Sequence, residues 1–172
     1  MRKYLVFFLF FLASRQLQAQ FAQAEVSVNG LTCSQCSRSV ELALKRLPFV
    51  ESVAMDLQEP KAVVVFKKNT GINFFNLAKA VQSAGFSVRS IKVKCLPFKN
   101  DWTEIGCFNN NGTLYYRKGI DKVANKNYNV LLLGKGLISK TELEKYKHKI
   151  LEEREAPCDT KSKVEIPYLL LN

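Results

Sequence analysis

Residues 25–94 alternate between two apolar periodicities, and this alternation strongly limits the folds available to the chain. Apolar residues at every second position, or in short apolar runs, predict four strands at 25–28, 53–57, 62–66 and 87–93. Helical spacing predicts two helices, whose apolar stripes are Val40, Ala43, Leu44, Leu47 and Phe74, Leu77, Ala78, Val81. Pro48 ends the first helix and Gly85 the second. The order strand–helix–strand–strand–helix–strand predicts an α+β domain of the ferredoxin-like βαββαβ type.

Two cysteines, Cys33 and Cys36, stand at the junction between the first predicted strand and the first predicted helix. This spacing places Cys33 in the loop and Cys36 in the first helical turn. The start of a helix carries unpaired N–H groups and a partial positive charge, both of which favour the thiolate form. Two converging thiolates can hold a soft metal ion or act as a redox dithiol.

Four segments of this region occur in a familiar order: the loop Gly30-Leu31-Thr32-Cys33-Ser34-Gln35-Cys36, strand segments 50–53 and 61–64, and the helix 77–86 that closes with Ala84-Gly85-Phe86. Together they resemble the heavy-metal-associated domain of copper chaperones, copper-transporting ATPases and periplasmic mercury-binding proteins. The loop is similar to the Gly-Met-Thr-Cys-x-x-Cys motif of that family. The resemblance covers residues 25–94 and implies a heavy-metal-associated domain at 20–94.

The resemblance also implies roles for individual residues. Cys33 and Cys36 would bind the metal ion, while Leu31 and Phe86 would pack around the loop. Leu31 departs from the methionine of the family motif, and leucine is a tolerable replacement because that side chain packs under the loop. Phe86 matches an aromatic residue of the ATPase and bacterial members, where it would shield the thiolates from water.

The donor set indicates which metals the site would take. Two thiolates without a nearby histidine or carboxylate suit Cu(I), with Hg(II) as an alternative. Zn(II) is a further possible ion, for which two of its preferred four ligands would have to come from elsewhere. We therefore expect a non-enzymatic protein that captures and transfers, or sequesters, Cu(I). Family members pass metal by ligand exchange, so the implied partner is a metal donor or acceptor, either a transporter or another metal-binding domain. The protein would act as a monomer or as a metal-bridged dimer.

The Cys33 and Cys36 pair has other interpretations. Outside the cytosol the two thiols can simply be oxidised to a disulfide. A strand, a Cys-x-x-Cys pair and a helix also occur in thiol–disulfide oxidoreductases, in which case Cys33 would be the nucleophile. A third hypothesis is an interaction module in which the loop no longer binds metal.

Residues 1–19 have the pattern of a secretory signal peptide. Arg2 and Lys3 form a basic start, and residues 4–13 are an apolar run shorter than the roughly 20 residues that span a bilayer. We therefore expect an exported protein, either in a bacterial periplasm or secreted. Loss of this segment would lower the formal net charge from +11 to +8. The remaining basic residues are spread along the chain, and we expect no nucleic-acid partner.

Residues 95–172 differ in composition, with Asn-rich turns and a Lys/Glu-rich helix, and they predict a separate small α+β region. Runs at 102–108 and 113–117 flank an Asn-Gly turn and predict a hairpin. A third strand is predicted at 129–133. The capping box that begins at Ser139 predicts a helix that Pro157 stops.

This region contains three further cysteines: Cys95, Cys107 and Cys158. In an exported chain we expect one disulfide among them and one odd thiol. Our preferred pairing is Cys107 with Cys158, one of three that are possible. The alternatives are a second soft-metal site, or a third thiolate that reaches Cys33 and Cys36. The sole histidine, His148, lies in a lysine-rich helix and is predicted to be solvated.

Overall fold

The computed structural model describes residues 21–56, 58–95, 107–110, 113–118, 128–151 and 168–171. The helices are α1 (Ser34–Lys45), α2 (Phe74–Ser83) and α3 (Lys140–Leu151). The strands are β1 (Phe21–Asn29), β2 (Val50–Asp56), β3 (Lys61–Phe66), β4 (Ser87–Cys95), β5 (Cys107–Asn110), β6 (Thr113–Lys118), β7 (Tyr128–Leu133) and β8 (Tyr168–Leu171). The predicted signal peptide at 1–19 lies outside the described residues.

The first four strands form the ferredoxin-like sheet that the periodicity predicts. Their order across the sheet is β2-β3-β1-β4, with β1 antiparallel to both β3 and β4. Helices α1 and α2 follow β1 and β3 in the chain, which completes the βαββαβ connectivity. The prediction of a ferredoxin-like α+β fold is therefore confirmed.

The core lies between one face of this sheet and the two helices. Alternate strand residues are buried there, together with one stripe from each helix: Val26, Val28, Val64, Ile91, Val93, Val40, Leu44, Leu77 and Val81. Phe74, the first residue of α2, packs its ring edge-on against Phe21 and Phe66, with ring centroids 5.2 Å and 6.0 Å apart. The strand predicted to begin at 25 in fact begins at Phe21, because a register shift between Phe21 and Gln23 lets Phe21 reach the core.

The C-terminal region continues the same sheet. Strand β7, predicted at 129–133, pairs antiparallel with β4, and Leu132 and Val130 stand opposite Ile91 and Val93. All four residues are buried. Beyond β7 the sheet order is β8-β6-β5, and β6 pairs in parallel with β8. The boundary predicted at 94/95 stays a prediction, although hydrogen-bonded strands lie on both sides of it.

The other elements predicted after residue 95 are partly as expected. Strands β5 and β6 form an antiparallel hairpin, and β5 is described over Cys107–Asn110, while residues 102–106 of the predicted run lie outside the described residues. No strand was predicted at β8. Helix α3 begins after Ser139, whose hydroxyl accepts a hydrogen bond from the Glu142 N–H at 3.4 Å, as expected of a capping box. Within the described parts of the chain, no helix is long and apolar enough to cross a membrane.

Candidate metal centre

The Cys33 and Cys36 loop lies at the end of the sheet where β1 stops and β4 starts. Asn29, the last residue of β1, pairs with Ser87, the first residue of β4. Gly30 then turns the chain with a φ of +83°, a backbone conformation that residues other than glycine rarely adopt. A Cβ atom on Gly30 would lie 3.9 Å from Cδ1 of Phe86, so the aromatic ring that precedes β4 lies against the start of the loop.

Cys33 is the N-cap of α1. Its backbone is extended (φ −138°, ψ 155°), and its sulfur accepts a hydrogen bond from the Cys36 N–H at 3.1 Å. Its carbonyl oxygen accepts the Ser37 N–H at 3.1 Å, which begins the helical hydrogen bonds. Sulfur here occupies the position in which serine or aspartate oxygen usually caps a helix. The helix terminus therefore fixes the direction of the Cys33 side chain and brings it towards Cys36.

The two sulfur atoms are joined in a disulfide, with the Cα atoms of Cys33 and Cys36 5.2 Å apart. Cys33 is exposed and Cys36 is half-buried. The structure thus contains the oxidised form of the pair, one of the interpretations that the sequence left open. A disulfide offers no thiolate to a metal ion, because oxidation has joined the two sulfurs in a neutral S–S bond. Reduction would release two thiols that already converge on one point.

Leu31 and Phe86 support the loop from the side of the core. Both are partly buried and pack against the core cluster. The Phe86 N–H also donates to the carbonyl oxygen of Val81 at 3.2 Å, so the end of α2 holds the backbone of Phe86. The predicted shielding of the thiolates by Phe86 stays a prediction.

No other ligand cluster is present among the residues that the structure describes. In this part of the chain, no group of three or more histidine, cysteine, aspartate or glutamate side chains could hold a metal ion. The sulfurs of Cys33 and Cys36 are therefore the candidate donor set, and a soft ion of low coordination number is the chemistry that this set fits.

Of the remaining cysteines and the histidine, the structure describes the backbones of Cys95, Cys107 and His148. Cys95 ends β4, eight residues and about 26 Å of extended strand beyond Ser87. Its backbone therefore lies at the end of β4 remote from the loop. The backbones of Cys107 and His148 lie in β5 and α3, and Cys158 lies outside the described residues. The predicted Cys107–Cys158 disulfide consequently falls outside what the structure describes.

The β2–β3 turn lies on one side of the loop and carries paired charges. Asp56 accepts the N–H groups of Glu59 and Gln58 at 3.1 Å and 2.9 Å, and these hydrogen bonds lower the pKa of its carboxyl group. The Lys61 ammonium donates to Glu59 at 2.7 Å, which raises the pKa of Lys61. The Val28 N–H donates to the carbonyl oxygen of Pro60 at 2.9 Å, so this turn is fastened to β1 just before the loop.

On the other side of the loop, side-chain hydrogen bonds that sequence reasoning missed join β1 to β4. The Arg89 Nε donates to Oδ1 of Asn29 at 2.9 Å, and Nδ2 of Asn29 donates to the Ser87 hydroxyl at 3.2 Å. The three residues meet only because a register shift between Ser27 and Val28 leaves Arg89 as an extra residue in β4. No pattern along the chain indicates that shift, so the sequence held no signal for this link.

Comparison with known proteins addresses the region that contains the loop. The model of the family described as "Heavy-metal-associated domain" matches residues 25–87. The copper chaperone CopZ of Staphylococcus epidermidis is 30% identical over 67 residues, which are 39% of this chain and 97% of that protein.

Two further similarities concern larger or solved proteins. A copper-transporting ATPase of Helicobacter felis is 36% identical over 67 residues, which are 39% of this chain and 9% of the ATPase. The chain therefore spans less than a tenth of the ATPase that it matches. The crystal structure of oxidised MerP from Ralstonia metallidurans is 32% identical, with 38% of this chain and 93% of that chain covered and a TM-score of 0.35.

Proposed function

This chain belongs to the heavy-metal-associated domain family through residues 25–87, and from this premise we propose that it is a carrier of Cu(I). In this proposal the reduced thiols of Cys33 and Cys36 capture the ion and later release it to a second protein. The observation that carries the proposal is the convergence of the two sulfurs at the exposed end of the sheet, where a partner can reach them. The matched copper chaperone, 97% of which is covered by this chain, supports copper as the cargo through its name.

Capture begins with reduction of the disulfide. Two electrons and two protons from a dithiol, either a small molecule or a protein, convert the S–S bond into two thiols, and the dithiol becomes a disulfide. Binding of Cu(I) then displaces both thiol protons, because only the thiolate is a metal ligand. The N–H of Cys36 favours this step, since it donates to the Cys33 sulfur and stabilises negative charge there.

Release follows from the same geometry. Two sulfur ligands leave a Cu(I) ion open to a third, so a thiolate of the partner can add before a bond to Cys33 breaks. Cys33 is the more exposed of the pair and is the first ligand to be replaced. The partner is a metal donor or acceptor, either a transporter or another metal-binding domain. Cleavage of residues 1–19 would place this exchange in a periplasm or outside the cell.

Sequestration of Hg(II) is the second metal-binding possibility, because Hg(II) is also a soft ion that accepts two thiolates. The disulfide itself favours a different second function, that of a thiol–disulfide oxidoreductase. The attacking thiolate would be that of Cys33, which is exposed and receives the Cys36 N–H. In such an enzyme the reduced pair would give two electrons to a substrate disulfide, which leaves as a dithiol, and Cys33 and Cys36 would return to the disulfide without a metal.

A competition titration tests the proposal. The protein is reduced and titrated with Cu(I) against a chromogenic Cu(I) chelator, beside a Cys33→Ser, Cys36→Ser variant and a Cys95→Ser control. We expect one tightly held ion per chain, loss of that ion in the double variant, and no change in the control. Failure of the wild-type protein to outcompete the chelator would overturn the copper proposal. Parallel Hg(II) and Zn(II) titrations and an insulin-reduction assay then separate the two alternatives.

A further inference from the structure

Ser37 is the one buried polar side chain among the residues that the structure describes, with 7% of the residue exposed. It lies at the end of the first turn of α1, directly after Cys36, and belongs to the stripe that α1 turns towards the core. Its neighbours on that stripe, Val40 and Leu44, are apolar and fully buried. A hydroxyl group in such a place normally has a hydrogen-bond partner, because burial without one costs stability.

The Ser37 hydroxyl has no such partner in the oxidised protein. The Ser37 backbone N–H donates to the carbonyl oxygen of Cys33 at 3.1 Å, but within the described part of the chain its hydroxyl forms no hydrogen bond. Ser39, on the same helix, shows the usual arrangement, since its hydroxyl donates to the carbonyl oxygen of Gln35 at 3.0 Å. Helix α1 therefore contains one exposed serine whose hydroxyl is satisfied and one buried serine whose hydroxyl is not.

Helix geometry sets the direction of the Ser37 side chain. Side chains of an α-helix lean towards its N-terminus, and residues four positions apart lie on the same face. Ser37 therefore leans towards Cys33, four residues earlier. The Cys33 sulfur lies over the same turn, since it accepts the Cys36 N–H at 3.1 Å. The unused hydroxyl and the candidate metal ligand thus share one end of α1.

Reduction changes what the Cys33 sulfur can accept. In the disulfide this sulfur is neutral and is held by its bond to the sulfur of Cys36. Two molecules of glutathione reduce the pair: they supply two electrons and two protons, the S–S bond becomes two thiols, and glutathione disulfide leaves. The Cys33 sulfur is then free to turn towards Ser37. As a ligand of Cu(I) it would carry negative charge and accept a hydrogen bond more strongly than a neutral sulfur does.

We infer that the Ser37 hydroxyl donates a hydrogen bond to the Cys33 sulfur in the reduced protein only, and that it thereby biases the pair towards the dithiol. A bond that exists in one of two states shifts the equilibrium towards that state. Ser37 is a positioning residue, since it acts through Cys33. The inference rests on the proposed function for its purpose, because capture of Cu(I) needs the dithiol, but the bias itself requires no metal.

The test measures the equilibrium between the disulfide and the dithiol in mixtures of reduced and oxidised glutathione, at constant pH and without metal. The proteins are wild type, Ser37→Ala, which removes the hydroxyl, and Ser37→Thr, which keeps it. The matched control is Ser39→Ala, which removes a hydroxyl from an exposed position of the same helix. Mass spectrometry after alkylation counts the thiols in the peptide that contains Cys33 and Cys36.

We expect the ratio of dithiol to disulfide in Ser37→Ala to fall by about threefold to tenfold, the effect of one hydrogen bond. Ser37→Thr and Ser39→Ala should stay close to wild type. An unchanged ratio in Ser37→Ala would overturn the inference, because a water molecule or a backbone carbonyl would then satisfy the hydroxyl equally in both states. A fall of the same size in Ser37→Thr or in Ser39→Ala would also overturn it.

Urea unfolding of the oxidised and reduced forms separates this role from a purely structural one. The hydroxyl is buried without a partner in the oxidised form alone, so Ser37→Ala should raise the urea midpoint of the oxidised protein more than that of the reduced protein. An equal change in both forms would assign Ser37 a structural role and overturn the inference.

Cu(I) titration of the reduced wild-type protein keeps the inference distinct from the proposed function. Failure to bind Cu(I), with the glutathione shift of Ser37→Ala present, would overturn the carrier proposal and support the role of Ser37. Normal binding of Cu(I) without that shift would overturn the role of Ser37 and support the carrier.

Discussion

The backbone N–H of Ser139 donates a hydrogen bond to the carbonyl oxygen of Val88 at 2.8 Å. Val88 is the second residue of β4, close to Phe86 and the metal loop, whereas Ser139 is the cap of α3. The turn between β7 and α3 also contributes the buried side chains of Leu137 and Ile138. The C-terminal region is therefore attached to the metal-loop end of the domain as well as to the edge of β4.

This attachment predicts that a residue of β7 stabilises the domain that carries the loop. Leu132 is fully buried opposite Ile91, so Leu132→Ala should lower the free energy of unfolding by about 2–5 kcal/mol. Urea unfolding followed by circular dichroism measures the change. Leu42→Ala, at an exposed position, serves as the control and should cost far less. If Leu132→Ala lowered the free energy of unfolding no more than the control does, β7 would contribute little to the core.

The turn at Gly30 should resist a side chain. Its φ of +83° is strained for alanine, although a Cβ would find only ordinary contact with Phe86 at 3.9 Å. Gly30→Ala should therefore cost about 1–2 kcal/mol of stability through the backbone alone. Gly71, which is exposed and has no positive φ, provides the control. Thermal unfolding of both variants should show a lower midpoint for Gly30→Ala and little change for Gly71→Ala.

The Asp56 carboxylate should make stability depend on pH. Hydrogen bonds from the Glu59 and Gln58 N–H groups hold its pKa below the usual value, so folding favours the ionised form. The resulting stabilisation is present above the unfolded pKa, near pH 4, and is lost as the pH falls through the folded pKa. Asp56→Asn should therefore be less stable than wild type at pH 7, and the two urea midpoints should converge below about pH 4.

A carboxylate elsewhere on the same strand gives the comparison for this prediction. Glu51→Gln removes one negative charge from an exposed position of β2. If the difference in urea midpoint between wild type and Asp56→Asn stayed constant from pH 7 to pH 3, the Asp56 carboxylate would not be its cause. The same would hold if Glu51→Gln lowered the midpoint equally.

The oxidation state of Cys33 and Cys36 should decide whether the protein binds Cu(I). The disulfide offers no thiolate, so the untreated oxidised protein should bind no Cu(I) at the loop, and protein treated with a phosphine reductant should bind it. Mass spectrometry after alkylation counts the thiols, and the chelator competition counts the bound ions. Reoxidation should restore the unbound state. Equal binding before and after reduction would place the ligands elsewhere in the chain.

The positions of the two cysteines were predictable from local signals. An alternating strand, a glycine and a helical stripe follow one another around Cys33 and Cys36, and each is a short-range pattern. Their oxidation state was not predictable, because the same two residues serve as thiols or as a disulfide. The start of β1 was also missed, since the bulge after Phe21 breaks the alternation on which the prediction relied.

Contacts between distant parts of the chain were the least predictable. Strands β7 and β5–β6 have local signals, but the pairing of Leu132 with Ile91 joins residues far apart in the sequence. The neighbouring residues Val130, Leu131, Leu132 and Leu133 are all buried, so this part of β7 is apolar on both faces. A short run of this kind indicates a buried strand without indicating which strand it pairs with. The Arg89–Asn29 hydrogen bond likewise depends on a register that only the folded sheet reveals.

Strand β7 also determines how this protein could be recombined. If the chain were cut at Lys94 and the metal loop fused to another protein, the backbone groups of β4 that β7 now satisfies would become an open edge. Open edges recruit strands from other molecules and promote aggregation. A transplant of the loop from this chain should therefore take β7 and its turn along.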